Sequence, residues 1–176
     1  MFIAFEGGEG AGKSTQVGLL ADAMRAQGRE VVTTFEPGDT AIGQRLREIL
    51  LGHATGALDP RTEALLYAAD RAEHVAQVVR PAIDRGAVCI TDRYIDSSIA
   101  YQGAGRALDP RDVQRVSEWA TVGLWPDLTV LLDIDPAVGL TRFETPADRL
   151  EAEPLAFHQR VRDHFLELSR AAPARY

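Results

Sequence analysis

Short apolar runs alternate with amphipathic stretches along most of the chain. Phe2–Phe5, Glu30–Thr34, Ala87–Thr91 and Leu128–Ile134 read as strands, each a brief apolar or β-branched run bounded by turn residues. Helical patterns lie between them. Ser14–Gln27 is closed by Gly28, and Ile42–Leu51 carries Ile42, Leu46 and Ile49/Leu50 on one face. At Asp59-Pro60 an N-cap residue stands beside an N1 proline and opens a long helical stretch. Pro81 is expected to kink or end that stretch before Gly86 releases the chain into the third strand. The same Asp-Pro start recurs at Asp109-Pro110 and Asp135-Pro136, and Phe157, Val161, Phe165 and Leu168 mark a last helix. Strands alternating with helices predict an α/β fold, a parallel sheet with helices on both faces. The sequence shows no internal repeat, low-complexity segment or linker, so residues 1–176 read as one domain. The chain stops at Arg175-Tyr176, after a helix and a proline-containing turn, where a further strand is expected.

Composition narrows the function classes. Hydrophobic residues make up 45% and charged residues 26%, a balance that fits a globular enzyme rather than a disordered or fibrous chain. No apolar run approaches the roughly 20 residues that span a bilayer, and the N-terminus lacks a secretory pattern, so a cytoplasmic protein without a membrane partner is expected. Cys89 is the sole cysteine, which rules out an intrachain disulfide, and its apolar surroundings read as core. A net charge of −7 argues against a broad basic face for nucleic acid. Any anionic ligand must therefore meet a local cluster of cations. Lys13 is the only lysine, and asparagine is absent.

The strongest local signal is Gly7-Gly8-Glu9-Gly10-Ala11-Gly12-Lys13-Ser14, an instance of G-x-x-x-x-G-K-[ST], with Thr15 following. It leaves an apolar strand and opens an amphipathic helix, the context this phosphate-binding loop requires. Its glycines let backbone N–H groups turn inward around phosphate oxygens, and the helix N-terminus adds a favourable partial charge. Lys13 is placed to reach the β- and γ-phosphates of ATP, and the Ser14 hydroxyl to ligate Mg²⁺.

Three classes of P-loop protein compete for this pattern. A GTP-binding switch reads guanine with Asn-Lys-x-Asp, which a chain with no asparagine and one lysine cannot supply. A hydrolytic ATPase usually follows its second aspartate with a water-orienting glutamate. Here the third strand ends in Asp92-Arg93, and arginine there suits holding a second phosphorylated substrate. Asp92 is thus the candidate partner of Ser14 at the metal. Asp133-Ile134-Asp135 is an alternative, though Asp135 already has a sufficient role as a helix cap. The third class, a nucleotide monophosphate kinase, needs no strong general base. A phosphate with a second pKa of about 6 is already largely dianionic at neutral pH. Catalysis then rests on positioning and on cations around the transferring group.

Four segments in order resemble the thymidylate kinase family, along nearly the whole chain. Phe2-Ile3-Ala4-Phe5-Glu6-Gly7 with Glu9 in the loop resembles its first strand and P-loop, and the resemblance places Glu9 near the substrate's sugar and phosphate. Glu36-Pro37-Gly38 followed by Arg47 resembles its second signature, whose arginine grips the substrate phosphate. Leu66-Tyr67-Ala68-Ala69-Asp70-Arg71 resembles the thymine-holding segment, which assigns base stacking to Tyr67 and a hydrogen bond to O4 to Arg71. Asp92-Arg93-Tyr94, Ser97-Ser98 and Ala100-Tyr101-Gln102-Gly103 resemble the stretch whose arginine contacts phosphate and whose tyrosine lies against deoxyribose. The resemblance implies dTMP phosphorylation by ATP with Mg²⁺, a homodimer, a lid over about 142–151 with catalytic Arg142 and Arg149, and a further strand and helix beyond Tyr176.

The chain departs from the family where Phe35 and Asp39 flank Glu-Pro-Gly in place of arginine and a second glycine, Asp39 adding negative charge near an anion site, and its lid is short. Plainer roles compete at single positions. Tyr67 on an apolar helix reads equally as core, Arg71, Arg142 and Arg149 as surface charges, and Trp119 and Trp125 as core or subunit contacts. A kinase of another small nucleotide or nucleoside, or a P-loop ATPase without an acceptor, remains open at this level.

Overall fold

The computed structural model describes residues 1–142 and 148–176. Four strands, β1 (Phe2–Glu6), β2 (Val31–Phe35), β3 (Val88–Asp92) and β4 (Leu128–Leu131), form a wholly parallel sheet in the order β2-β3-β1-β4. Side chains alternate across it as the pleat demands. Phe2, Ala4 and Cys89 face one buried layer with Val75, Val79 and Ile99, while Ile3, Phe5, Val88 and Ile90 face the other with Val17 and Ala21. Both faces of β1 and β3 are therefore dry, which is why these strands are continuous apolar runs.

Helix α1 (Lys13–Ala26) covers the second layer and ends where Gly28 takes φ +77°. Helix α2 (Ala41–Leu51) is capped by Thr40, whose hydroxyl accepts from Gly43 N at 2.9 Å. The Asp-Pro starts behave as their chemistry requires. Asp59, Asp109 and Asp135 each accept backbone N–H groups at the heads of α3 (Pro60–His74), α6 (Pro110–Ala120) and α7 (Pro136–Leu140). The long stretch after Pro60 does not end at Pro81. A π-helical segment, Val75–Val79, lies directly before α4 (Arg80–Asp84), and the backbone stays helical through Val75, Val79 and Arg80, so the widened turn seats the proline within a continuing helix. A second π-helical segment, Ile99–Gly105, extends the short helix α5 (Ile95–Ser98). Helix α8 (Leu155–Ala171) buries Phe157, Val161 and Phe165.

The fourth strand is shorter than the apolar run predicts. Leu132 N still donates to Glu6 O at 2.8 Å, but beyond it Asp133 turns to Arg162 at 2.7 Å and Asp135 to its capping role. Trp119 is 83% exposed and takes no part in the core, whereas Trp125 packs against the first layer under the Arg175 guanidinium. On the outer side of β4, Thr129 N donates to Arg175 O at 2.7 Å. No described helix is long and apolar enough to cross a membrane.

Helix α7 touches the loop after β1 through bare backbone. A Cβ on Gly139 would lie 2.3 Å from Glu9 O, and one on Gly10 2.2 Å from Gly139 O. Gly18, inside α1, has nothing within 4 Å of such an atom. Gly139→Ala should therefore lower stability by about 1–3 kcal/mol, while Gly18→Ala raises it by about 0.5–1 kcal/mol. Thermal unfolding of both variants checks this, and equal Tm values would contradict the packing.

Candidate active site

The carboxyl ends of β1, β2 and β3 open into one cavity of about 830 Å³. That is the edge where open α/β sheets seat ligands, because loops and helix N-termini converge there. Of the residues expected to serve catalysis, ATP, the substrate or Mg²⁺ through Ser14 and Asp92, all line it except Gly7, Gly8, Ala11 and Arg149. Gly7 and Gly8 turn their carbonyls to Lys13, whose Nζ donates to them at 3.0 and 2.9 Å. Lys13 is thus coiled over its own loop. Burial and the neighbouring Arg93 guanidinium push its ammonium down to about 8, against the pull of Glu9, Asp92 and Glu6.

At the head of α1 the Ser14 hydroxyl donates to Asp92 Oδ2 at 2.6 Å. A hydroxyl and a carboxylate converging beside the loop form an oxygen donor pair of the kind a hard divalent cation prefers. Asp133 faces Arg162 instead.

Arg93 follows β3 directly and holds a left-handed backbone, φ +71°, where a residue with a Cβ is strained. Its N–H donates to Phe5 O at 2.9 Å and its carbonyl accepts from Thr91 Oγ1 at 2.9 Å, which fixes that turn. The guanidinium pairs with Glu9 at 2.6 Å, donates to Ser97 Oγ at 3.2 Å, and lies 4.9 Å from the centre of the Tyr101 ring. Tyr101 also donates its hydroxyl to Glu9 at 2.8 Å. Burial raises Glu9, but Arg93, Lys13 and that hydroxyl outweigh it and hold the carboxyl below its ordinary range.

Glu6 lies beneath this group, fully buried. Its carboxylate accepts from Tyr94 N at 2.9 Å, Ser97 N at 3.2 Å and Ser97 Oγ at 2.5 Å, so it caps α5 from the neighbouring strand. Burial and nearby Asp96 push it up to about 8, opposed by Ser97, Arg93 and the Tyr94 N–H. Nothing in the sequence marks Glu6 for this task, because the helix it caps lies some 90 residues later.

On the opposite wall, Arg47 donates to Pro37 O at 2.7 Å, and its stem fills the space beside Gly38. Tyr67 is 8% exposed: it lines the cavity and also belongs to the buried cluster with Leu150, Phe157 and Tyr101. Arg71, expected at the surface if not at the base, is 1% exposed. It donates to Glu36 at 2.8 Å, Ser117 Oγ at 3.3 Å, Tyr94 O at 3.1 Å and Ser98 Oγ at 3.0 Å. Gln102 reaches Glu63 at 3.0 Å.

Arg142 borders the cavity and donates to Gly10 O at 2.6 Å. Arg149 differs from expectation. It donates to Leu50 O and pairs with Glu63 at 2.5 Å, alongside Arg106, because a fully buried carboxylate draws every cation within reach. Of the expected lid, residues 143–147 lie outside the described residues, while Asp148, Leu150 and Glu151 border the cavity.

Asp70 is 1% exposed; its Oδ1 accepts from Gly38 N at 3.1 Å, while Oδ2 has no hydrogen-bond partner. Burial and the Glu36 charge push its carboxyl up to about 6. A carboxyl whose pKa is higher in the folded than in the unfolded chain binds its proton more tightly when folded. Its contribution to stability is present below the ordinary value and is lost as pH rises through about 6. Asp70→Asn should therefore stabilise the protein near pH 8, by about 1–3 kcal/mol, with the gain shrinking as pH falls below about 6. Denaturant melts of both proteins across that range measure the difference, and a gain independent of pH would contradict it.

Known proteins resemble this chain in sequence and fold. The chain matches the thymidylate kinase family over residues 5–176. It is 57% identical to the thymidylate kinase of Clavibacter sepedonicus, with all of this chain and 84% of that protein aligned. The thymidylate kinase of Cutibacterium acnes is 53% identical, over all of this chain and 86% of its own. Among solved structures, thymidylate kinase from Ehrlichia chaffeensis superposes with a TM-score of 0.83 at 34% identity, covering 99% of this chain and 89% of the other. On these matches the chain belongs to the thymidylate kinase family.

Proposed function

We propose that this protein transfers the γ-phosphoryl group of ATP to dTMP, giving dTDP and ADP. The observation that carries this reading is the single cavity shared by the P-loop residues Lys13, Ser14 and Thr15 and by Arg47, Tyr67, Arg71, Arg93 and Tyr101. A donor and an acceptor phosphate entering from the two sides meet between Lys13 and Arg93. A phosphate oxygen of dTMP attacks the γ-phosphorus, the bond to the β–γ bridging oxygen breaks, and ADP leaves with those electrons. The acceptor is already ionised, so no side chain need take a proton.

Each residue then has a task set by its chemistry. Lys13 leaves the Gly7 and Gly8 carbonyls to hold the β- and γ-phosphates. Ser14 and Asp92 hold Mg²⁺, which when bound neutralises charge on the phosphate oxygens. Arg93 and Arg47 bind the acceptor phosphate, and Arg142 stands beside the loop for the transferring group. Ser97, Ser98 and Gln102 complete the pocket around the nucleoside. Arg71 has four named bonds among the described residues and a guanidinium carries five N–H groups, leaving one on Nη1 for thymine O4. The reading includes a cytoplasmic homodimer, on the family resemblance; light scattering of the purified protein tests the dimer.

The decisive assay follows ADP release with dTMP, with other monophosphates and with no acceptor. Strong dependence on dTMP supports the reading. Release without an acceptor would assign a hydrolytic ATPase, and preference for another monophosphate a different kinase. Two variants refine it. Lys13→Ala should lose most phosphoryl transfer while remaining folded. Tyr101→Phe should weaken dTMP binding by about 0.5–1.5 kcal/mol through loss of the bond to Glu9, yet keep its preference for deoxyribose, since the ring does the excluding. The ratio of kcat/KM for dTMP and its ribose counterpart measures this. A ratio that collapses in Tyr101→Phe would move the discrimination from ring to hydroxyl.

A further inference from the structure

Behind the wall formed by Glu36 and Arg71 lies a buried polar chain that no step above uses. His74, the last residue of α3, is 1% exposed. Its Nδ1 meets Glu36 Oε1 at 2.7 Å, and its Nε2 meets Thr34 Oγ1 at 2.6 Å. The Thr34 hydroxyl also bonds the Asp39 carboxylate. On its far side Glu36 accepts from Arg71 Nε at 2.8 Å. The charged groups facing the ring are therefore Glu36 and Asp39 at its two ends and Asp70 and Arg71 on its own helix.

Proton counting decides the state of this chain. A hydroxyl has one proton to give. Between an ionised carboxylate, which only accepts, and a ring nitrogen, Thr34 gives it to Asp39. Nε2 must then donate to the hydroxyl oxygen. At the other end the Glu36 carboxylate, already paired with Arg71, is also only an acceptor, so Nδ1 must donate as well. A neutral ring escapes a lone-pair clash at one of these contacts only if its proton moves to Asp39, and Asp39 borders the open cavity, where water solvates a carboxylate; a buried unmatched polar contact is costly.

We propose that His74 is a positioning residue that works as an imidazolium, clamping the Glu36 carboxylate between itself and Arg71 and so fixing the guanidinium that faces the nucleoside. Asp39, the acidic residue after Glu-Pro-Gly, is the group that demands the second proton. It reaches no phosphate in this role. Its charge is spent on Thr34 and, through Thr34, on the ring. The inference rests on the dTMP kinase reading for the identity of the ligand, but the protonation of the ring does not depend on that ligand.

Histidine labelled with ¹⁵N, observed by long-range correlation in the ligand-free protein at about pH 8, tests the clamp where a free imidazole is neutral. Both His74 nitrogens should carry protons. In Asp39→Ala the Thr34 proton becomes free for Nε2, and the ring should keep only one. His74→Gln donates at one end only and should raise the KM for dTMP about tenfold or more, far beyond any change in the KM for ATP. Should that variant fail to fold, the dTMP KM of Asp39→Ala, an exchange at a half-buried residue of the cavity wall, is expected to rise in the same sense. A singly protonated ring in the wild-type protein, or equal rises for both substrates, would overturn the proposal. Absence of dTMP-dependent ADP release would remove the functional reading alone, because the ring spectrum reports the clamp independently.

Discussion

The site depends on where the Arg93 guanidinium is held. Its backbone occupies a left-handed conformation at the end of β3, which an arginine adopts only when the surroundings over-determine it. Here the sheet continues into the turn through the bond to Phe5 O, and Glu9, Ser97 and the Tyr101 ring take three sides of the side chain. Glu9 belongs to the P-loop, and Ser97 and Tyr101 to the helix after β3. One cation thereby sets the distance between the two halves of the cavity. Glu6 carries that constraint into the sheet, since the same carboxylate that caps α5 orients the serine that Arg93 touches.

The charge of the molecule is resolved locally. A chain with net charge −7 collects Lys13, Arg47, Arg71, Arg93 and Arg142 around one space. Burial first, and then repulsion by Arg93, lower Lys13, and acidic partners make such cations tolerable. Glu9, Glu36 and Asp92 supply that compensation in a ligand-free site. A phosphate entering between Lys13 and Arg93 competes with carboxylates for donors that are already oriented, so less ordering is needed at binding.

The helical stretches that bring Arg71 and Tyr101 to the cavity each contain a π-helical segment, one directly after His74 and one carrying Tyr101 and Gln102. Such turns recur at functional sites because the extra residue re-aims a side chain without ending the helix. The helix after Asp59 can therefore bury Glu63, Tyr67, Asp70, Arg71 and His74 on one face and still rejoin the apolar layer at Val75 and Val79.

Local chemistry made much of this protein legible in its sequence. Continuous apolar runs mark β1 and β3 because both faces are covered, Asp-Pro pairs mark helix starts because a carboxylate and a missing N–H each suit that position, and the P-loop is contiguous. The ordered motifs placed Arg93, Arg47, Tyr67 and Tyr101 near one another, and all four line the cavity. Tertiary structure decided what depends on a distant partner. The length of β4 hangs on β1, whose last paired residue, Glu6, faces Leu131, the direction of Arg149 on buried Glu63, and the exposure of Trp119 on how α6 packs. Glu6, Glu63 and His74 gave no signal in sequence, because each acts on groups far along the chain and its residue type suits an exposed helix or strand end equally well. Short-range stereochemistry is written in neighbouring residues, whereas the partner of a buried charge is known only once the chain has closed around it.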